Sequence, residues 1–192
     1  MATNTMTDLS YGISRPQDLL EKLKHDGNKI GANLHKYDLF NFFVTAAVLN
    51  EWIRKYYNDV ITPELRLALC GENVEGLPIE SSSWVADKEY LPNKNYDIRQ
   101  HISDVMHICW GIANASKHYH WTRSAGISAI EESPKIKDWY QYFFTSTDPG
   151  IYIECDGKYY TVHQVKMILT QFYDGLLIFL DTLEGGTISK KY

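Results

Sequence analysis

The chain has 192 residues, a formal net charge of -5 at neutral pH, 44% apolar residues and 22% charged residues. This ordinary globular composition excludes a disordered or fibrous protein. The negative charge argues against a broad nucleic-acid-binding surface, because affinity for phosphate comes mainly from clustered Lys and Arg, and leaves only a local basic patch open.

The first part of the chain predicts three helices. A short helix over residues 16–25 has its apolar face at Leu19, Leu20 and Leu23, and Asp26-Gly27-Asn28 is expected to end it. A long helix over residues 38–58 follows from apolar side chains at alternating spacings of three and four: Leu39, Phe42, Ala46, Leu49, Ile53 and Tyr56. Thr62-Pro63-Glu64 starts a brief helix that reaches Cys70, after which residues 71–95 form a long connection.

The second part predicts two more helices with strands between them. Residues 97–118 form a helix, whose inward face carries Ile98, Ile102, Val105, Cys109, Ile112 and Ser116. Strands are expected over residues 127–130, 139–144, 151–155 and 158–160, and the Asp156-Gly157 pair predicts a tight hairpin turn between the last two. Thr161 and Gln164 have the spacing of a capping box, which opens a final helix that Gly185 and Gly186 should end.

These elements predict a mainly α protein of the α+β kind. Three long helices each carry an apolar stripe that they can bury only against one another, so a helical bundle is the expected architecture. Residues 122–160 would form a small antiparallel β-hairpin insertion before the C-terminal helix. Residues 1–192 are expected to be a single domain, since the length is near that of one domain.

The cysteines and the N-terminal residues bear on the cellular compartment of the protein and on its cofactors. Cys70, Cys109 and Cys155 lie far apart and in no metal-ligand spacing, which indicates reduced thiols, no metal site and a cytoplasmic protein. Residues 1–12 have neither a basic start nor an apolar run, so no signal peptide is expected. The apolar stretch 176–180 is too short to span a bilayer. No Gly-rich phosphate loop, nucleophile elbow or paired-carboxylate motif is present, and no cofactor is predicted.

One stretch of the helix over residues 97–118 stands out. Polar residues and a glycine recur there every three or four positions, in a stripe beside the apolar one: Asp104, His107, Gly111, Asn114 and His118. Such a stripe can serve packing or a dimer interface as well as chemistry. Lys117 and His118, in the last turn, also complement the negative end of the helix dipole.

The end of this stripe resembles the motif of the HEPN superfamily, helical-bundle proteins of toxin-antitoxin and anti-phage systems. Members carry an Arg, a polar residue, three variable residues and a His late in a helix, and the Arg and His act together on RNA across a dimer interface. Asn114 and His118 match the polar residue and the His, whereas Ala113 stands where the Arg belongs. The order of helices and hairpins is also similar to that of bacterial HEPN-like proteins over about residues 38–183.

The resemblance implies two functions of different classes. The first is a non-catalytic HEPN-like binding protein, a homodimer in a defence or toxin-antitoxin setting, with RNA or a protein as partner. Five residues are then candidates for RNA or ligand contact: His107, Trp110, Tyr119, Trp121 and Arg123. The alternative is a metal-independent ribonuclease toxin with His118 as the base, Lys117 as the cation and Asn114 beside them. A small-ligand sensor with a pocket between bundle and hairpins is a third possibility.

Overall fold

A computed structural model describes residues 12–30, 35–78, 97–117, 127–131 and 152–188. Its elements in chain order are α1 (Pro16–Asn28), α2 (Lys36–Tyr56), α3 (Pro63–Leu69), a 3-10 turn (Val74–Gly76), α4 (Ile98–Lys117), β1 (Ile127–Glu131), β2 (Tyr152–Cys155), β3 (Lys158–Thr161) and α5 (Val162–Ile188). This confirms the predicted class: a mainly helical protein with a small antiparallel sheet before its C-terminal helix.

Four helices enclose the hydrophobic core. The helix α1 packs against α2 and α5, and α4 also packs against α2 and α5, so the four form a closed ring around the buried side chains. The predicted inward residues Phe42, Leu49 and Ile53 are buried, but Tyr56 is exposed and its neighbour Tyr57 is buried instead. That exchange follows from helical geometry, because a step of four from Ile53 leads to Tyr57. No helix in the described ranges is long and apolar enough to cross a bilayer.

The strands form one sheet in the order β1-β2-β3, with both pairs antiparallel. Cys155 pairs with Lys158 across a two-residue turn, in which Asp156 and Gly157 both have positive φ angles of 50° and 74°. Positive φ at both positions is the geometry that Asp-Gly favours in hairpins, so this prediction is confirmed. The strand predicted over residues 139–144 lies outside the described residues.

Only some of the helix ends lie where the sequence predicts them. The capping box is confirmed at α5, since Thr161 N–H donates to Gln164 Oε1 at 2.8 Å and Gln164 N–H donates to Thr161 Oγ1 at 3.1 Å. The predicted stop at Gly185 and Gly186 is wrong, because α5 continues through both. A glycine ends a helix when it takes the left-handed conformation, as Gly71 does after α3 with φ of 77°.

The end of α1 also differs from the prediction. Asp26 and Gly27 continue the helix, which runs to Asn28. In many proteins an Asp side chain ends a helix by bonding to the nearby backbone. The buried carboxylate of Asp26 instead accepts a hydrogen bond from Thr45 Oγ1 at 2.8 Å and pairs with Lys22. With its side chain engaged by α2, Asp26 does not compete for the helix backbone.

Candidate functional site

The predicted site residues that the structure describes lie between the middle of α4 and its C-terminal end. Asn114 is exposed and Lys117 is the last residue of the helix. Trp110 and His107, one and two turns before Asn114, are half-buried. The other predicted residues lie outside the described ranges: His118, Tyr119, Trp121 and Arg123. The structure therefore brings His107, Trp110 and Asn114 to one stretch of helix, where they can form a common surface.

The position of Ala113 bears on the expected chemistry. Its exposed fraction is 5%, whereas the adjacent Asn114 is exposed, since successive side chains on a helix are about 100° apart. An arginine at position 113, where the HEPN motif has it, would start from the buried side of α4.

Arg54 of α2 supplies a guanidinium group to this surface. Its Cζ atom lies 5.5 Å from the centre of the Trp110 ring, which is a cation–π arrangement. The Nε atom donates to Asn50 Oδ1 at 3.1 Å, and Nη1 lies 3.2 Å from Cys70 Sγ. Contacts from α2, from α4 and from the residue that follows α3 thus hold the group in place beside the predicted stripe.

Asn50 connects Arg54 to the core. This buried amide donates from Nδ2 to Tyr173 Oη and to Met106 Sδ, both at 3.3 Å, and keeps its oxygen for Arg54. Burial raises the pKa of the Tyr173 hydroxyl well above its usual value, so the hydroxyl stays neutral in the bundle. A guanidinium bonded to a fully packed side chain loses little further freedom when it binds a ligand.

His107 attaches the end of α3 to α4. A Cβ atom at Gly71 would overlap the His107 ring, so only a glycine allows the ring to lie this close to the backbone. The ring centres of His107 and Trp110 are 6.4 Å apart in an edge-to-face arrangement. His107 therefore has a packing role, and it continues the aromatic surface that Trp110 begins.

A groove of about 320 Å³ opens beside Arg54, and we refer to it as the α2–α3 groove. It is lined by Glu51, Arg54, Lys55, Asn58 and Arg66. The Arg66 Nη2 atom donates to Asn58 Oδ1 at 2.9 Å and to the Asn58 carbonyl at 3.3 Å. Within the described part of the chain, no carboxylate lies within ion-pair distance of the three cationic side chains. This is a local basic patch on an acidic protein.

A second polar cluster lies inside the protein, between α4 and the hairpin. Asp104 accepts hydrogen bonds from Tyr160 Oη and Lys158 Nζ, both at 2.6 Å, and from Gln100 Nε2 at 2.8 Å. The His101 Nδ1 atom is 2.9 Å from Tyr160 Oη. Burial, with the nearby Asp104 charge, raises the pKa of the Cys155 thiol to about 12. Because Asp104, His101 and Tyr160 are all buried, this cluster attaches the hairpin to the bundle and offers no surface to a ligand.

In comparisons with known proteins, no family model, no curated protein and no solved structure matches the chain. Nor does the described part of the chain hold a group of three His, Cys, Asp or Glu side chains that could bind a metal ion.

No motif in the sequence marks Arg54, Lys55 or Arg66 as site residues. One signal was available, because Asn50 interrupts the buried face of α2 between Ala46 and Ile53. A buried amide needs hydrogen-bond partners, and Arg54 stands one turn later, at the position where a helical neighbour can provide one.

Proposed function

We propose that this chain is a non-catalytic HEPN-like protein that binds RNA through the surface of α2 and α4 around Arg54 and Trp110. The observation that supports this proposal is the guanidinium of Arg54 held over the Trp110 ring, next to the α2–α3 groove. An arginine stacked on an indole presents a flat, positively charged face. Bases stack on such faces and phosphates bind to the adjoining cations.

The exposed amide of Asn114 extends this surface along α4, one turn beyond Trp110. RNA is recognised mostly in single-stranded segments, whose unstacked bases pack on aromatic and Arg planes while polar side chains bond to base edges. A small basic area on a protein with a net charge of -5 suits such a short contact better than a long duplex.

The buried position of Ala113 supports binding rather than cleavage. Metal-independent cleavage of RNA needs a base and a cation that stabilises the phosphorane charge. In the HEPN motif the Arg provides that cation, and here the residue at its position faces the bundle interior. Lys117 is a poorer substitute, because an ammonium group cannot hold a phosphate in the bidentate way that a guanidinium does.

Two further parts of the proposal come from the HEPN resemblance. The protein would act as a homodimer, with the α4 surfaces of two copies near each other, and it would belong to a toxin-antitoxin or phage-defence system. Light scattering of the purified protein measures the first of these directly, and a monomeric mass at micromolar concentration would contradict it.

Binding is tested by fluorescence anisotropy with a labelled single-stranded RNA. Removal of a stacked ring costs about 1–3 kcal/mol per base, so Trp110→Ala should weaken binding by about fivefold or more. Arg54→Gln should have a similar effect. Tyr37→Ala is the control, because Tyr37 is an exposed aromatic residue at the other end of α2. Equal affinities for the wild type and Trp110→Ala would refute this binding surface.

Cleavage is tested separately with total RNA, using wild type beside His118→Ala. The proposal expects intact RNA with both proteins. Cleavage by the wild type that is lost in His118→Ala would replace it with the ribonuclease alternative, in which His118, Lys117 and Asn114 carry the reaction.

A further inference from the structure

The cations of the α2–α3 groove face one shared space. Residues 51, 54, 55 and 58 follow each other along one side of α2 and its end, because steps of three and four return to the same helical face. Arg66 forms the opposite wall from α3. Two guanidinium groups and one ammonium group therefore line a concavity of about 320 Å³.

Compensation of the helix dipole explains part of this arrangement. Arg54 and Lys55 lie in the last turn of α2, where cations are favourable, and Arg66 bonds to a carbonyl just beyond it. The helix dipole does not explain, however, why the three cations line a concave space. Nor does it explain why they have no carboxylate partner among the described residues. A multiply charged anion would satisfy all three cations at once.

We propose that the α2–α3 groove binds a phosphate monoester, of the kind found at the 5′ end of an RNA or in a free nucleotide. The fork of a guanidinium matches two phosphate oxygens, and a terminal phosphate carries more charge than an internal phosphodiester. The cavity volume is at the lower end for small-ligand sites, which suits one phosphate with its sugar.

Glu51 makes the two sides of the groove electrostatically different. Its carboxylate repels the phosphate, so the phosphate binds on the side of Lys55 and Arg66, and Glu51 can accept hydrogen bonds from the hydroxyls of the sugar. Arg54 both lines the groove and lies over the Trp110 ring, so it offers a stacking surface to the base that follows the phosphate. This inference rests on the proposed function where the phosphate belongs to an RNA, and is independent of it where the phosphate belongs to a free nucleotide.

The test compares four probes by isothermal titration calorimetry: adenosine, AMP, and one short RNA with either a 5′-phosphate or a 5′-hydroxyl end. We expect AMP to bind more tightly than adenosine, and the 5′-phosphorylated RNA to bind about tenfold more tightly than its 5′-hydroxyl form. Lys55→Gln and Arg66→Gln should abolish both differences. Lys36→Gln removes the same charge at the start of α2 and should leave them intact.

Lys55→Gln keeps the test valid if Arg66→Gln fails to fold, since Lys55 is exposed and forms no hydrogen bond with the described residues. Thermal melts of each variant check the fold. Equal binding of both RNA forms, with no preference for AMP over adenosine, would overturn the phosphate site and leave RNA binding standing. Preferential AMP binding without binding of either RNA would support the groove and overturn the proposed function.

Discussion

Replacement of Asp104 by alanine should be among the most damaging changes in this protein, because Asp104 is where the hairpin attaches to the bundle. The carboxylate has an exposed fraction of 2% and accepts three hydrogen bonds from side chains of α4 and β3. Its removal takes the charged partner from Lys158 and the strongest acceptor from the buried hydroxyl of Tyr160.

The expected loss of stability depends on whether the Lys158 side chain stays buried once Asp104 is removed. Loss of one member of a buried ion pair costs about 3–5 kcal/mol when the other member stays buried. The Lys158 side chain is 22% exposed and can turn toward water, which places the loss near the lower limit. We expect about 3 kcal/mol, and since about 1 kcal/mol shifts Tm by about 2–4 °C in a chain of this size, Tm should fall by about 6–12 °C.

Differential scanning calorimetry measures this shift, and Asp174→Ala is the matched control. Asp174 pairs with Lys24 at 2.9 Å, but its side chain is 52% exposed, and such surface pairs contribute about 0–1 kcal/mol. A double-mutant cycle of Asp104→Asn with Lys158→Met should give a coupling energy above about 1 kcal/mol. A Tm shift for Asp104→Ala no larger than that of Asp174→Ala would refute this account of the cluster.

Three further predictions concern single features. In native protein at pH 8, alkylation followed by mass spectrometry should detect modification of half-buried Cys70 first. Cys109 and Cys155 should react only on unfolding, because burial raises the pKa of both thiols. Equal alkylation rates for the three cysteines would contradict the described burial. Gly71→Ala should lower the free energy of unfolding, measured by urea titration, by about 1–2 kcal/mol or more. The reason is that Gly71 has a positive φ and that the added methyl group would overlap the His107 ring. An unchanged urea midpoint would contradict that contact. Backbone N–H groups of Ser14 and Arg15 lower the pKa of Asp18, so the stability that Asp18 contributes should be present above its unfolded pKa and disappear as pH falls through its folded pKa. A stability difference between wild type and Asp18→Ala that does not shrink as the pH is lowered would contradict this.

Much of the fold could be predicted from the sequence because its signals are local. Alternating spacings of three and four located the long helices, Asp156-Gly157 located the hairpin turn, and Thr161 with Gln164 located the start of α5. Errors arose where a distant contact overrides a local preference. Asp26 continues α1 because a side chain of α2 engages its carboxylate, which the residues around it do not indicate.

The candidate site could be predicted only in part for the same reason. His107, Trp110 and Asn114 lie on one helix, so their spacing alone placed them together. Arg54 reaches Trp110 from another helix, and that contact depends on how α2 crosses α4, which periodicity does not specify. Asn50, the amide that holds Arg54, was visible in the sequence as a polar residue on an apolar face, but its partners were not.

Thr161 belongs to two elements at once, as the last residue of β3 and as the cap of α5. No loop separates the sheet from the helix, so the end of β3 fixes where α5 begins. Engineers who wish to excise the sheet should therefore retain Thr161 and its partner Gln164, or supply a new cap in their place.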